Sequence, residues 1–152
     1  MRATFTITVA LLTSLSAARA ESWTTYRIVE SGTSVDIPAS LFTETAGKPD
    51  GYGQRFRTSD GRADFTVQAV ANQQGLSPAQ FLAGKNPPPG IIYKHIARNF
   101  FVVSSIKRGT IWYNRCNFSR GYVHCVLINY PAAEKRQWDR VVTRISHSLS
   151  PG

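Results

Sequence analysis

The segment between residues 91 and 130 constrains the fold more than any other part of this 152-residue chain. It reads as four consecutive strands separated by short turns, at residues 91–97, 100–106, 110–117 and 122–129. Apolar residues take both alternating positions of these strands, since Ile111 and Tyr113 share one parity and Trp112 has the other. A sheet that is apolar on both faces has to be covered on both faces. We therefore expect an α+β protein in which helices cover an antiparallel β-sheet meander.

The C-terminal segment supplies part of that cover. After Pro131, apolar residues recur with the spacing of one helical stripe, at Trp138, Val141, Val142, Ile145 and Leu149. The opposite face carries basic residues, which are Lys135, Arg136, Arg140 and Arg144. We expect a C-terminal amphipathic helix that docks on the sheet, the alternative being a helix that lies on a membrane surface.

The N-terminal half supplies further strands. Residues 23–29 and 34–37 read as two short strands, residues 38–42 as the start of a helical turn, and residues 43–53 as a glycine-rich loop. The clearest hairpin is centred on Asp60-Gly61, a dipeptide typical of two-residue type I′ turns.

Pairing outward from this turn gives the hairpin two unlike faces. Phe56 falls opposite Phe65, and the apolar face comprises Phe56, Ala63, Phe65, Val67 and Ala69. The other face comprises Arg55, Arg57, Arg62, Asp64 and Gln68. Because Arg57 falls opposite Asp64, we expect these two to form an exposed cross-strand ion pair.

A short helix follows the hairpin. Ser77 is a good N-cap residue and Pro78 suits the first helical position, so we expect a helix that ends near Gly84. The sequence KNPPPG at residues 85–90 then predicts a stiff extended connector, the alternative being a proline-motif ligand.

The first 20 residues have the pattern of a secretory signal peptide. Arg2 precedes an apolar stretch at residues 3–15, and Ala18-Arg19-Ala20 is a small-residue cleavage site. Cleavage after Ala20 of the 152-residue chain leaves 132 residues, which we interpret as a single globular domain over 21–152. We expect a periplasmic or secreted protein, with no transmembrane segment in the mature chain.

The cysteines agree with export. If Arg120-Gly121 forms a two-residue hairpin loop, Cys116 lies directly opposite Cys125 at a non-hydrogen-bonded position, where Cα atoms are about 4.5 Å apart. That separation permits a disulfide bond, which we predict between these residues. A redox or metal-binding role is the alternative.

The positive charge is typical of a surface that keeps the protein soluble, and it can also attract an anionic partner. Without Arg2 and Arg19 the chain has 16 basic and 9 acidic residues, a net charge of +7. Export makes an envelope protein or an anionic envelope component the expected partner, and no nucleic acid is expected. The candidate anionic-ligand rim consists of Lys94, Arg98, Lys107, Arg108, Arg115 and Arg120. The alternative is that these are ordinary basic turn residues.

No motif in the sequence specifies a reaction. The three histidines, His95, His124 and His147, lack the spacing of a metal site, and no metal or cofactor is expected. A hydrolytic triad could be composed from Ser104 or Ser105, His95 or His124, and Asp64. No strained turn presents either serine, so we expect no catalytic residues.

The order of elements is a first strand, SVDIPASLF, a Gly-rich loop, the FRTSDGRADFTV hairpin, a small helix, a meander and a closing YPAAEKRQWDRVVTRISHSL helix. This order resembles the PsbP-like superfamily, which includes extrinsic photosystem subunits and a Ran-binding nuclear import factor, over most of residues 23–149. It is also similar to uncharacterised exported proteins of Gram-negative bacteria. The resemblance implies an α/β/α sandwich that serves mostly as a non-catalytic binding or assembly module.

The expected function is therefore that of a monomeric, exported, non-catalytic binding or assembly module. One alternative is a small periplasmic hydrolase with a Ser/His site. The other is a structural or stress protein of the envelope.

Overall fold

The computed structural model describes residues 21–151, so the predicted signal peptide lies outside the described residues. Within them the strands and helices are β1 (Trp23–Ile28), β2 (Thr33–Pro38), β3 (Glu44–Thr45), β4 (Tyr52–Arg57), β5 (Asp64–Ala71), α1 (Pro78–Lys85), β6 (Ile91–Ile96), β7 (Phe100–Lys107), β8 (Thr110–Ser119), β9 (Tyr122–Pro131) and α2 (Lys135–Ser148). A 3-10 turn at Ala132–Glu134 leads into α2.

A seven-stranded antiparallel sheet has the order β3-β4-β5-β9-β8-β7-β6. Strands β6 to β9 form the predicted meander. Strand β9 then pairs with β5 along its length, from Asp64 opposite Asn129 to Ala71 opposite Tyr122. This pairing joins the N-terminal hairpin to the meander and leaves β6 at one edge. Strands β1 and β2 form a separate two-stranded sheet.

A helix packs on each face of the large sheet. On one face, α2 buries Trp138, Val141, Val142 and Ile145 against the sheet and the β1–β2 hairpin. On the other face, α1 packs over the disulfide and its neighbours. The α+β class, an antiparallel sheet between helices, is confirmed, and so is the docking of the C-terminal helix.

Helix α1 begins as its sequence predicts. The Ser77 hydroxyl accepts a hydrogen bond from the Gln80 amide, and the Gln80 side chain accepts one from the Ser77 amide, so the N-terminus has a capping box. The helix ends at Lys85, where Asn86 takes a left-handed conformation with φ of 46°.

The β4–β5 hairpin has the predicted register and a different turn. Phe56 pairs with Phe65, as the apolar pattern requires. The type I′ prediction is wrong, because Gly61 has positive φ (68°) and Asp60 does not, whereas a type I′ turn needs both. The Gly61 amide instead donates to the Thr58 carbonyl, so the tight turn begins one residue earlier.

Two predictions about the surroundings of this hairpin are also wrong. Arg57 pairs with Glu44 of β3 at 2.7 Å, while Asp64 accepts a hydrogen bond from the Asn129 side chain, so the expected Arg57–Asp64 ion pair is absent. Residues 43–53 are not all loop, because they contain β3 and the first two residues of β4. Gln68 lies on the expected face, where it is buried and its side-chain amide donates to the Asp50 carbonyl.

The cover over the meander is incomplete. All six residues of β6 are exposed, which contradicts the expectation that both faces of the meander are covered. The physical reason is the position of β6 at the edge of the sheet. Helix α2 packs on β2 and β9, and α1 packs on β7, so neither reaches beyond β7.

Candidate functional site

Apolar side chains are concentrated on the exposed edge strand. The exposed fractions are 47% for Ile91, 51% for Ile92, 55% for Tyr93 and 39% for Ile96. Two further large apolar residues, Ile106 of the adjacent strand β7 and Trp112 of β8, are also exposed. We call these six residues the β6 surface. An exposed apolar patch on an edge strand is typical of an interaction site.

The predicted cationic rim separates into groups. Successive hairpin turns lie at alternate ends of a sheet, so Arg98 and Arg120 lie at one end and Lys107 and Arg108 at the other. Lys94 lies within β6 itself. Because the Ile106 amide donates to the Gly90 carbonyl, the β7–β8 turn lies beside the start of β6. Four of the six rim residues therefore lie in or beside β6: Lys94, Arg98, Lys107 and Arg108.

The remaining rim residues lie farther from the edge. The Arg115 guanidinium stacks on the Phe100 ring at 4.8 Å, and Arg120 occupies the β8–β9 turn. That turn is the expected two-residue loop, and positive φ at both Arg120 and Gly121 gives it the type I′ form. It brings Cys116 opposite Cys125, and the predicted disulfide is present, with Cα atoms 4.1 Å apart.

Positive charge is segregated along the chain. Between Asp64 and Glu134 the sequence has seven Lys or Arg residues and no Asp or Glu. This segment forms β5 after Asp64, α1 and strands β6 to β9. It contains the whole +7 surplus of residues 21–152, since the rest has nine basic and nine acidic residues. The four ion pairs among the described residues all use cations from outside it. The β6 side of the domain therefore presents cations without carboxylate partners.

A trough of about 610 Å³ runs between β6 and α2. Its apolar lining includes Ile92, Tyr93, Ile111, Tyr113 and Tyr130. The Tyr113 hydroxyl is hydrogen-bonded to the Ser146 hydroxyl of α2. Burial raises the pKa of Tyr113, and burial together with nearby Asp139 raises the pKa of Tyr130 to about 12. Both phenols are therefore neutral at physiological pH. The trough offers an apolar surface to side chains, and its lining also includes the Lys135–Asp139 ion pair.

A smaller groove of about 260 Å³ lies on the opposite face of the sheet. The predicted rigid connector forms one wall through Pro87 and Pro88, and Trp112 and Leu127 lie across from it. The connector thus shapes a surface beside the start of β6.

The residues of the hypothetical hydrolytic triad are not brought together. His124 lies on β9, four residues along and two strands across from Ser104, which corresponds to about 16 Å between their Cα atoms. His95 packs against the Phe100 ring, with 5.5 Å between ring centroids. Asp64 is hydrogen-bonded to Asn129 on β9. Among the described residues, no hydrogen bond joins Ser104 or Ser105 to a histidine.

His124 has a structural place in the core. Its Nδ1 lies 2.6 Å from the Thr33 hydroxyl, which is itself 2.6 Å from the Ser31 hydroxyl. Its Nε2 lies 3.3 Å from the Ser119 carbonyl oxygen. Burial lowers the pKa of His124, with a further contribution from Arg120, so the ring is neutral at physiological pH. This chain of hydrogen bonds fixes the β1–β2 hairpin to β9.

Other classes of site find no support in residues 21–151. No cluster of three His, Cys, Asp or Glu side chains there has the geometry to hold a metal ion. In the same residues, no helix combines the length and the apolar character needed to cross a bilayer.

Comparison with known proteins finds a match by structure and none by sequence. No protein-family model matches the chain. No curated protein matches it by sequence. A solution structure of cyanobacterial PsbP (CyanoP) from Synechocystis sp. PCC 6803 matches with a TM-score of 0.65, over 93% of this chain and 99% of that chain. The chain has the PsbP-like fold. At 11% sequence identity this likeness establishes the fold alone, so function has to be argued from the β6 surface.

Sequence reasoning missed the most informative features of this surface. The absence of Asp and Glu from residues 65–133 was readable from the sequence. The exposure of β6 was not, because it depends on which strand lies at the edge of the sheet.

Proposed function

We propose that the protein is a non-catalytic assembly module that binds an acidic partner protein through the β6 surface. The observation that carries the proposal is the coincidence of exposed apolar side chains with unpaired cations at one edge of the domain. Apolar residues such as Ile92 and Tyr93 contribute binding energy when they are buried, and the surrounding cations select an acidic partner and accelerate its approach.

A protein fits this surface better than a polyanion does. An acidic polysaccharide would use the cations and leave four isoleucines, Tyr93 and Trp112 in water. A polypeptide has both acidic and apolar side chains, and so it satisfies the whole surface.

The proposed setting is outside the cytoplasm. The signal-peptide pattern at residues 1–20, with cleavage after Ala20, supports a periplasmic or secreted location, and so does a disulfide, which persists in oxidising compartments. The expected partner is therefore an envelope protein, and the unbound module is a monomer.

The test is site-specific photo-crosslinking in an envelope extract of the source cells. A photoreactive residue is placed at Tyr93 and, in a control protein, at Val29, which is 88% exposed on a distant turn. We expect one partner protein to crosslink from position 93 and not from position 29.

A matched pair of charge variants tests the cations. The Lys107→Gln/Arg108→Asn double variant removes two charges beside β6, and Asn tolerates the left-handed conformation at residue 108. The Arg136→Gln/Arg140→Gln control removes two charges from the exposed face of α2. Only the first should weaken crosslinking. Equal labelling from both sites, no product, or capture of acidic polysaccharide at low salt alone contradicts the proposal.

A further inference from the structure

We infer that the partner supplies an extended segment that adds to the sheet as a strand antiparallel to β6, with an acidic residue opposite Lys94. This inference rests on the proposed function and specifies how the β6 surface is used. The free backbone groups, the side-chain pattern and the charge each support it.

The backbone of β6 presents open hydrogen-bonding groups. At the β6–β7 turn, the Ala97 amide donates to the Phe100 carbonyl. In an antiparallel ladder the residues of one strand point their N–H and C=O groups alternately toward and away from the neighbour. His95 and Tyr93 therefore bond to β7, and Lys94 and Ile96 direct their N–H and C=O groups away from the sheet. An incoming antiparallel strand can form four hydrogen bonds with these two residues.

The opposite edge of the sheet is protected against such pairing. Strand β3 has only the two residues Glu44 and Thr45, and Glu44 is held in an ion pair with Arg57. Short, charged edge strands are a common protection against strand addition. Strand β6 has six residues, and its only irregularity is a register shift between Ile91 and Tyr93. The segment from Tyr93 to Ile96 remains regular and open.

The side chains of β6 predict the sequence of the added strand. Lys94 and Ile96 lie on the α1 face, because they pair with Val103 and Phe101 of the core beneath α1. Tyr93 lies on the α2 face and lines the trough. A residue opposite Lys94 is therefore acidic, a residue opposite Ile96 is apolar, and a residue opposite Tyr93 is apolar and reaches the trough. Along an antiparallel partner the order is apolar, any residue, acidic, apolar.

A second copy of this chain is a poorer occupant. Antiparallel pairing of two β6 strands would bring Lys94, Arg98, Lys107 and Arg108 of both copies to one interface, and the segment between Asp64 and Glu134 offers no carboxylate to offset them. Like charges at such close range oppose association.

The probe for this inference is a capped hexapeptide, Thr-Val-Thr-Glu-Val-Thr, titrated into the isotope-labelled protein to millimolar concentration and followed by NMR. We expect shift changes along β6 and slower hydrogen exchange at the Lys94 and Ile96 amides, without a change at His95, which already bonds to β7. Replacing the peptide Glu by Lys should weaken binding about fivefold. The Lys94→Glu variant should reverse that preference. Methylating the peptide nitrogens opposite Lys94 and Ile96 should abolish binding, and this control needs no change to the protein.

Three results would overturn the inference: no shift along β6 at millimolar peptide, shifts without amide protection, or protection of Lys94 and Ile96 by self-association of the protein alone. These outcomes are distinct from failure of the proposed function. If a partner crosslinks from position 93 and the peptide does not bind, the partner binds through side chains alone, and only the strand-addition inference fails. If no partner crosslinks, the proposed function fails.

Discussion

Breaking the Cys116–Cys125 disulfide should lower the free energy of unfolding by an amount that follows from the length of the loop it closes. The two cysteines are nine positions apart in sequence and close a loop of about 10 residues, so loop-closure entropy gives about 2.7 kcal/mol at 25 °C. For a domain of this size the unfolding entropy is about 0.3 kcal/mol per degree, and the expected loss of melting temperature is about 10 °C. Urea unfolding of the oxidised and reduced proteins measures the difference directly.

The Cys116→Ala/Cys125→Ala variant extends this test. Both cysteines are almost completely buried in the core beneath α1. The variant also loses the packing of both sulfur atoms, so it should be less stable than the reduced protein, and reductant should leave its own stability unchanged. A difference below about 1 kcal/mol between oxidised and reduced protein would refute the loop-closure reasoning.

Three other predictions concern stability. Burial lowers the pKa of His124 in the folded state, so the contribution of this residue to the free energy of unfolding should be retained above pH 6.5. Below pH 6.5 the free energy of unfolding should fall by up to about 1.4 kcal/mol per pH unit. A His124→Gln variant should show a smaller slope in pH-dependent urea unfolding. Gly53→Ala should lower the free energy of unfolding by more than about 2 kcal/mol, because a Cβ there would clash with the Val67 carbonyl. Gly84→Ala in α1 should raise it by up to about 1 kcal/mol, because a Cβ there meets no other atom. Thermal unfolding of both variants measures this contrast. Ser77→Ala should cost about 1 kcal/mol and Ser77→Asp almost nothing, as measured by urea unfolding.

Local sequence signals predicted the hairpins well. A two-residue loop at Arg120-Gly121 places Cys116 opposite Cys125, and this register predicted the disulfide. At residues 58–63 the predicted turn type is wrong and the register is still right, because facing Phe56 with Phe65 keeps one face apolar. A one-residue slip would move every side chain to the other face, so the burial pattern determines the register even when the turn is misjudged.

Contacts between distant segments escaped prediction. Arg57 pairs with Glu44 rather than with Asp64 because β3, a two-residue strand without a local signature, lies beside β4. The pairing of β5 with β9 joins residues more than 50 positions apart, and nothing in either strand specifies the other. The edge position of β6, and with it the candidate site, follows from that pairing.

The conflict over β6 is itself informative. Its sequence, IIYKHI, has apolar residues at both parities, and a strand with this pattern is normally covered on both faces. The domain does not supply that cover, although it encloses β9, three strands further in. Strand β6 therefore has the sequence pattern of a buried strand and lies exposed at the edge of the sheet. Such disagreements between sequence pattern and burial are expected at functional sites. The proposed partner would supply the cover that the sequence of β6 requires.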